Sequence, residues 1–128
     1  MEETKEKNKE EVRFNLGQAQ LELIAELLKE SSIQYLKGNK IKWFFTMKNI
    51  KFQIVSRLST DERKELAESE RLIITLYKMH NQTRDMKYQN RMAYLIEKYD
   101  IRIKELLETK GFLVPSRESK TDLYGQEG

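Results

Sequence analysis

The stretch from Lys40 to Leu58 constrains the fold of this chain more than any other. It reads Lys-Ile-Lys-Trp-Phe-Phe-Thr-Met-Lys-Asn-Ile-Lys-Phe-Gln-Ile-Val-Ser-Arg-Leu and carries the only Trp and three of the five Phe. Wound as an α-helix at about 100° per residue, it places Trp43, Met47, Ile50, Ile54 and Leu58 on one continuous stripe. Phe44, Val55, Ile41, Phe52 and Phe45 extend the apolar surface round most of the cylinder. Lys42, Thr46, Asn49, Gln53 and Arg57 fill the polar strip that is left. A helix apolar on so many sides packs against several others, in its own fold or in a partner. Ile50 to Ile54, and Ile41, Trp43, Phe45 and Met47, also alternate as strands do. No turn residue separates those two pieces, and the helical stripe runs through both. A helix is therefore expected.

Composition agrees. The chain has 128 residues, enough for one domain with a modest core. Charged residues make up 35%, with Gly 5 and Pro 1, which suits helices and argues against a sandwich or barrel. The apolar share of 38% is low for a monomer, and part of it could serve an interface. With Cys 0, disulfides and thiolate metal sites are excluded. Met1 to Glu11 is a run of Glu and Lys rather than an apolar leader, and no apolar run approaches the roughly 18–20 residues that span a bilayer. A soluble, intracellular chain that does not enter the membrane is expected.

Taken in order, the chain divides into a charged N-terminal tail or helix extension (1–14), a helical bundle domain (15–113) and a polar C-terminal tail (114–128). Asn15 suits an N-cap, and Gln18 three residues on would complete a capping box. The first helix is expected from Leu16 to about Lys37, burying Leu21, Ile24, Leu28 and Tyr35, with Leu27 and Ala25 alongside. Gly38 supplies a left-handed stop, and Gly38-Asn39 a short turn into the central helix, which favours an antiparallel hairpin.

Leu58-Ser59-Thr60-Asp61-Glu62 is the strongest local signal. Ser59 fits an N-cap, Glu62 stands at the capping-box position, and Asp61 and Glu62 place negative charge at the positive end of the helix. The third helix should turn Leu66, Ile73, Leu76 and Tyr77 inward. His80-Asn81-Gln82-Thr83-Arg84-Asp85 has no apolar residue, so a connection or weak point belongs there. One helix from Thr60 to Lys110 is the alternative, since neither Gly nor Pro interrupts that span. The fourth helix carries the clearest heptad, the spacing of a coiled-coil seam: Tyr88, Met92, Ile96, Tyr99, Ile103 and Leu106. Gly111, with Leu107 and Phe112 placed for the hydrophobic contact of a Schellman motif, should end it, and Pro115 forbids resumption. In the tail beyond, Leu123-Tyr124 is the one apolar pair, either part of a disordered end or a docking hook.

Catalytic signatures are missing. His80 has no second His, no Cys and no Glu at helical spacing, so metal ligation and general-base work are unsupported. Ser31, Ser32 and Ser59 have no His or Lys base at a recognisable spacing. The glycines are scattered and form no phosphate-cradling loop. Asp61, Glu62, Glu65 and Glu68 read as an acidic helix start rather than an acid–base pair. The chain is expected to be a non-enzyme with no cofactor and no metal.

Charge distribution is the feature most open to a functional reading. The net charge is +3, yet no acidic residue occurs between Glu30 and Asp61. Lys37, Lys40, Lys42, Lys48, Lys51 and Arg57 fall in that gap, interleaved with Trp43, Phe44, Phe45 and Phe52. Such a mixture can hold phosphates and stack bases. The helical angles scatter these cations over more than one face, however. A buried helix with a lysine fringe, complemented by the acidic start of the third helix and by Glu22, Glu26 and Glu30, explains the same residues.

A Trp-bearing amphipathic helix ending in Leu58-Ser59-Thr60-Asp61-Glu62-Arg63 and followed by a charged helix resembles small helical proteins of tailed phages, among them minor virion and assembly proteins. The resemblance spans roughly Trp43 to Leu76 and rests on pattern alone. It implies a place in an assembly and assigns no functional residue. The expectation is thus an all-α antiparallel bundle of three or four helices, a structural or interaction module forming a homo-oligomer or larger assembly. Trp43, Phe44, Phe45 and Phe52 are its core or interface anchors. Nucleic-acid binding through Lys37 to Arg57 is the alternative.

Overall fold

The computed structural model describes residues 17–112, and the regular structure of these residues is helical throughout. Four α-helices follow one another: α1 (Gln18–Leu36), α2 (Lys40–Ile54), α3 (Thr60–Thr83) and α4 (Met86–Thr109). The all-α bundle expected from the sequence is the observed fold. The two tails and Asn15 lie outside the described residues. α1 starts two residues later than expected, and Gly17, in extended conformation, holds its N-cap position without a side-chain bond.

α1 and α2 form an antiparallel hairpin with the most extensive packing among the described helices, α3 and α4 form a second, and α2 joins the two by packing on α4. The first turn is fixed by Gly38 at φ 75°, where Asn39 N–H donates to the Gln34 carbonyl and Gly38 N–H to the Tyr35 carbonyl. That is a Schellman stop, and the positive φ is why glycine sits there. α2 is helical across both alternating segments, so the strand reading is excluded. It ends at Ile54 rather than Leu58, and a short 3-10 turn, Val55–Arg57, carries the chain to Leu58.

α3 begins with the expected reciprocal cap. Glu62 N–H donates to Ser59 Oγ at 3.1 Å, and Ser59 N–H donates to Glu62 Oε1 at 2.8 Å. The single long helix from Thr60 to Lys110 does not form. Arg84 takes a left-handed backbone at φ 60°, and the Asp85 carboxylate accepts from Lys87 N–H to start α4. No glycine was needed for this break; a polar segment without core contacts sufficed, with the helix N-cap at Asp85 stabilising the restart. α4 ends as expected at Gly111, φ 97°, with Phe112 N–H donating to the Leu107 carbonyl and both side chains buried.

The core follows the predicted stripes closely. Trp43, Met47, Ile50, Ile54 and Leu58 are all buried, as are Met92, Ile96, Tyr99, Ile103 and Leu106 of α4. Leu66 and Ile73 of α3 join them, while Leu76, Tyr77 and Tyr88 are half-buried. In α1 the expectation is only partly met. Ile24 and Leu28 are buried, but Leu21 is half-buried, Ala25 and Tyr35 are exposed, and Ser31 and Gln34 take the remaining inward positions. Tyr35 lies at the helix end, where its ring meets Trp43 edge-on with centroids 4.8 Å apart, and the residue stays 39% exposed.

Candidate interaction surface

α2 packs against α1 and α4, reaches α3 through the Lys51–Glu70 ion pair, and leaves one side open. Trp43 and Phe44 are anchors of the core: Phe44 packs at 5.3 Å from the Tyr99 ring, and Trp43 reaches α4. Phe45 and Phe52 are 48% and 69% exposed, so the four aromatics divide between two surfaces. The division follows from helical angle. Trp43 and Phe44 lie towards α4, whereas Phe45 and Phe52, seven residues apart, fall on one row facing away from it. Ile41 and Lys48, both half-buried, share that row.

Beside the row runs an open groove of about 300 Å³ between α1 and α2, walled by Leu27 and Phe45 and edged by Glu30, Gln34, Lys42 and Asn49. Gln34 donates through Nε2 to the Glu30 carboxylate, and its Oε1 is buried without a partner among the described residues. Gln20 Nε2 donates to Gln53 Oε1 at 3.1 Å further along the hairpin. Together with the Tyr35–Trp43 contact, this bond fixes the register. It sets Phe52 level with the turn carrying Leu23, and Lys48 level with Glu26.

The six basic residues do not assemble. Lys37 is exposed beyond the end of α1, Lys40 opens α2, and Lys42 lies on the groove edge. Lys48 is on the outer row. Lys51 points to the opposite hairpin, its Nζ 2.9 Å from Glu70 Oε2. Arg57 sits in the 3-10 turn with Nε buried and without a hydrogen-bond partner among the described residues. With Trp43 and Phe44 inside the core, neither can stack on a base.

The bundle interior holds polar groups that sequence reasoning missed. Trp43 Nε1–H donates to Asp100 Oδ1 at 3.2 Å, and Lys104 Nζ stands 3.1 Å from Asp100 Oδ2. Glu70 accepts from the Tyr99 hydroxyl at 2.7 Å as well as from Lys51. Burial, reinforced by the Glu70 carboxylate, pushes the Tyr99 hydroxyl far above its ordinary pKa, so it remains a donor. A signal existed for both. Glu70 falls between Leu66 and Ile73 at steps of four and three, on the core stripe itself, and Asp100 precedes Lys104 by one helical turn beside the heptad.

No protein-family model, curated protein or solved structure matches this chain. Among the described residues no helix is long and apolar enough to cross a membrane, and no group of three or more His, Cys, Asp or Glu could hold a metal ion. His80 Nδ1 lies 3.2 Å from the Asp85 carbonyl at the α3–α4 junction. The buried carboxylates are bound to donors of the bundle itself, which is the chemistry of helix pinning. The open row on α2, with Phe52 the most exposed large apolar side chain among the described residues, is one place where apolar area is left over; Leu72 on α3 and Met86, Tyr94 and Ile101 on α4 are exposed as well.

Proposed function

We propose that this chain is a non-enzymatic structural or protein–protein interaction module that occupies a place in an assembly. The observation that carries the reading is the exposure of Phe45 and Phe52 on one row of the helix that also organises the core. Large aromatics held on a rigid helix contribute heavily to interface energies, because little side-chain freedom is lost on docking. The resemblance of Trp43 to Leu76 to small virion and assembly proteins of tailed phages gives the same direction, and a virion component is the form of assembly we favour.

The second reading, nucleic-acid binding, draws support from Lys37, Lys40, Lys42 and Lys48, none of which forms an ion pair among the described residues. Their dispersal limits it to three or four simultaneous phosphate contacts. Each neutralised phosphate steepens log K against log salt by about −0.7 to −0.9. Anisotropy of labelled single-stranded and duplex oligonucleotides, at low and physiological salt, decides between the readings. Binding that vanishes near physiological salt is expected; tight, saturable binding that survives there overturns the structural role.

A further inference from the structure

We infer that the open face of the α1–α2 hairpin binds a second copy of this chain, the two hairpins stacking into an intermolecular four-helix bundle. The inference rests on the interaction-module reading and names its partner and surface. The docking row on α2 is Ile41, Phe45, Lys48 and Phe52, at steps of four, three and four. That is the spacing with which helices interdigitate at a shallow crossing angle, and it is apolar except for Lys48. α1 adds exposed Leu23 and half-buried Leu27 on the other side of the groove.

Charge selects the occupant. Glu22, Glu26 and Glu30 recur at one-turn intervals along α1, and all three are exposed. Lys42 and Lys48 fringe α2 and make no ion pair among the described residues. The face is thus acidic on one helix and basic on its neighbour, which makes it complementary to itself. A two-fold axis running along the hairpin lays α1 of each copy antiparallel over α2 of the other, as an isologous interface requires. The hairpin register then brings Lys48 of one copy opposite Glu26 of the second, and Phe52 opposite Leu23. An axis across the hairpin would instead set acidic α1 against acidic α1, and like charges oppose that arrangement.

Sedimentation equilibrium across the micromolar range tests this, with circular dichroism to check that each variant stays folded. The wild type should reach twice the 15.4 kDa protomer mass. Phe45→Glu combined with Phe52→Glu should return the protomer mass with helicity unchanged, since both side chains are exposed. Ile101→Glu, an exposed position on α4, should leave the dimer intact. Lys48→Glu should weaken association at least tenfold, and Glu26→Lys in the same chain should restore it. A wild type that stays monomeric overturns the dimer, while the oligonucleotide titration still judges the broader reading separately. A dimer that survives the double Phe variant, or is lost equally with Ile101→Glu, overturns the surface. Failure of Glu26→Lys to rescue overturns the antiparallel pairing.

Discussion

Trp43 on α2 donates its indole N–H to the Asp100 carboxylate on α4, tying together residues 57 positions apart. The other oxygen of Asp100 holds Lys104, so one buried carboxylate satisfies two donors where the hairpins meet. Asp100 and Lys104 are 5% and 8% exposed, so neither can turn to bulk water without disturbing the packing. A pair like this contributes little net stability relative to apolar residues of similar volume, yet removing one partner is severe.

Asp100→Ala should accordingly destabilise the bundle by about 3–5 kcal/mol, because Lys104 is left as an uncompensated buried charge and Trp43 loses its acceptor. Asp100→Leu with Lys104→Leu should recover much of that loss. Urea unfolding followed by helical ellipticity measures both, and a double variant no better than Asp100→Ala would show that the pair is net stabilising.

The core and the open face of α2 should respond differently to truncation. Ile50 is 0% exposed, and Ile50→Ala should cost about 2–5 kcal/mol through lost contacts and the cavity left behind. Phe52→Ala, at 69% exposure, should change the dilute-limit stability by less than about 0.5 kcal/mol. Thermal denaturation at low protein concentration separates the two. Equal losses would mean that Phe52 packs within the protomer.

How far the sequence could be read depended on which interactions are local. Caps and stops depend on neighbours within a few residues, so Gly38, the Ser59 box and Gly111 were legible. Periodic apolar positions were legible too, because burial of a stripe is a property of one helix. The polar core was legible only in part. Glu70 stands on the core stripe of α3 and Asp100 beside the heptad of α4, but their partners Lys51, Tyr99 and Trp43 lie on other helices, so the pairing could not be read from one helix. The split of the four aromatics was equally hidden: a helix apolar on most sides does not say which side its neighbours leave open. Ser31 and Gln34 took inward places in α1 for the same reason, facing a partner helix whose angle one helix alone does not determine.

The Ser59 cap should show in the acid limb of stability. Its backbone N–H, and then Lys110, hold the Glu62 carboxyl below the ordinary carboxylate range. A depressed folded-state pKa stabilises the protein above the unfolded value and loses that contribution as pH falls through the folded value. Ser59→Ala removes the bond to Glu62 N–H and should cost about 1 kcal/mol at neutral pH. Glu62→Gln should flatten the decline in stability below the ordinary glutamate value of about 4.3. Urea midpoints from neutral pH to pH 3 give the comparison, and an acid limb unchanged in Glu62→Gln would remove Glu62 from the account.

Tyr99 should govern the alkaline limb. Its hydroxyl is buried among apolar residues and donates to Glu70, which also holds Lys51, so ionising it would set a phenolate against a carboxylate. The folded-state pKa is therefore raised, and the sign is opposite to that of Glu62. Its contribution is fully present below the unfolded tyrosine value of about 10 and declines as pH rises above it, because the unfolded chain then releases a proton the folded chain retains. The decline should approach about 1.4 kcal/mol per pH unit from this group alone. Tyr99→Phe should lower stability at pH 8 by about 1.5–3 kcal/mol, the range for a hydrogen bond to a charged group, and should flatten the loss between pH 10 and 11. Denaturant midpoints for the two proteins at these pH values provide the measurement. Parallel alkaline limbs would mean that the Tyr99 hydroxyl ionises as freely in the folded protein as in the unfolded chain, and that the bond to Glu70 does not hold its proton.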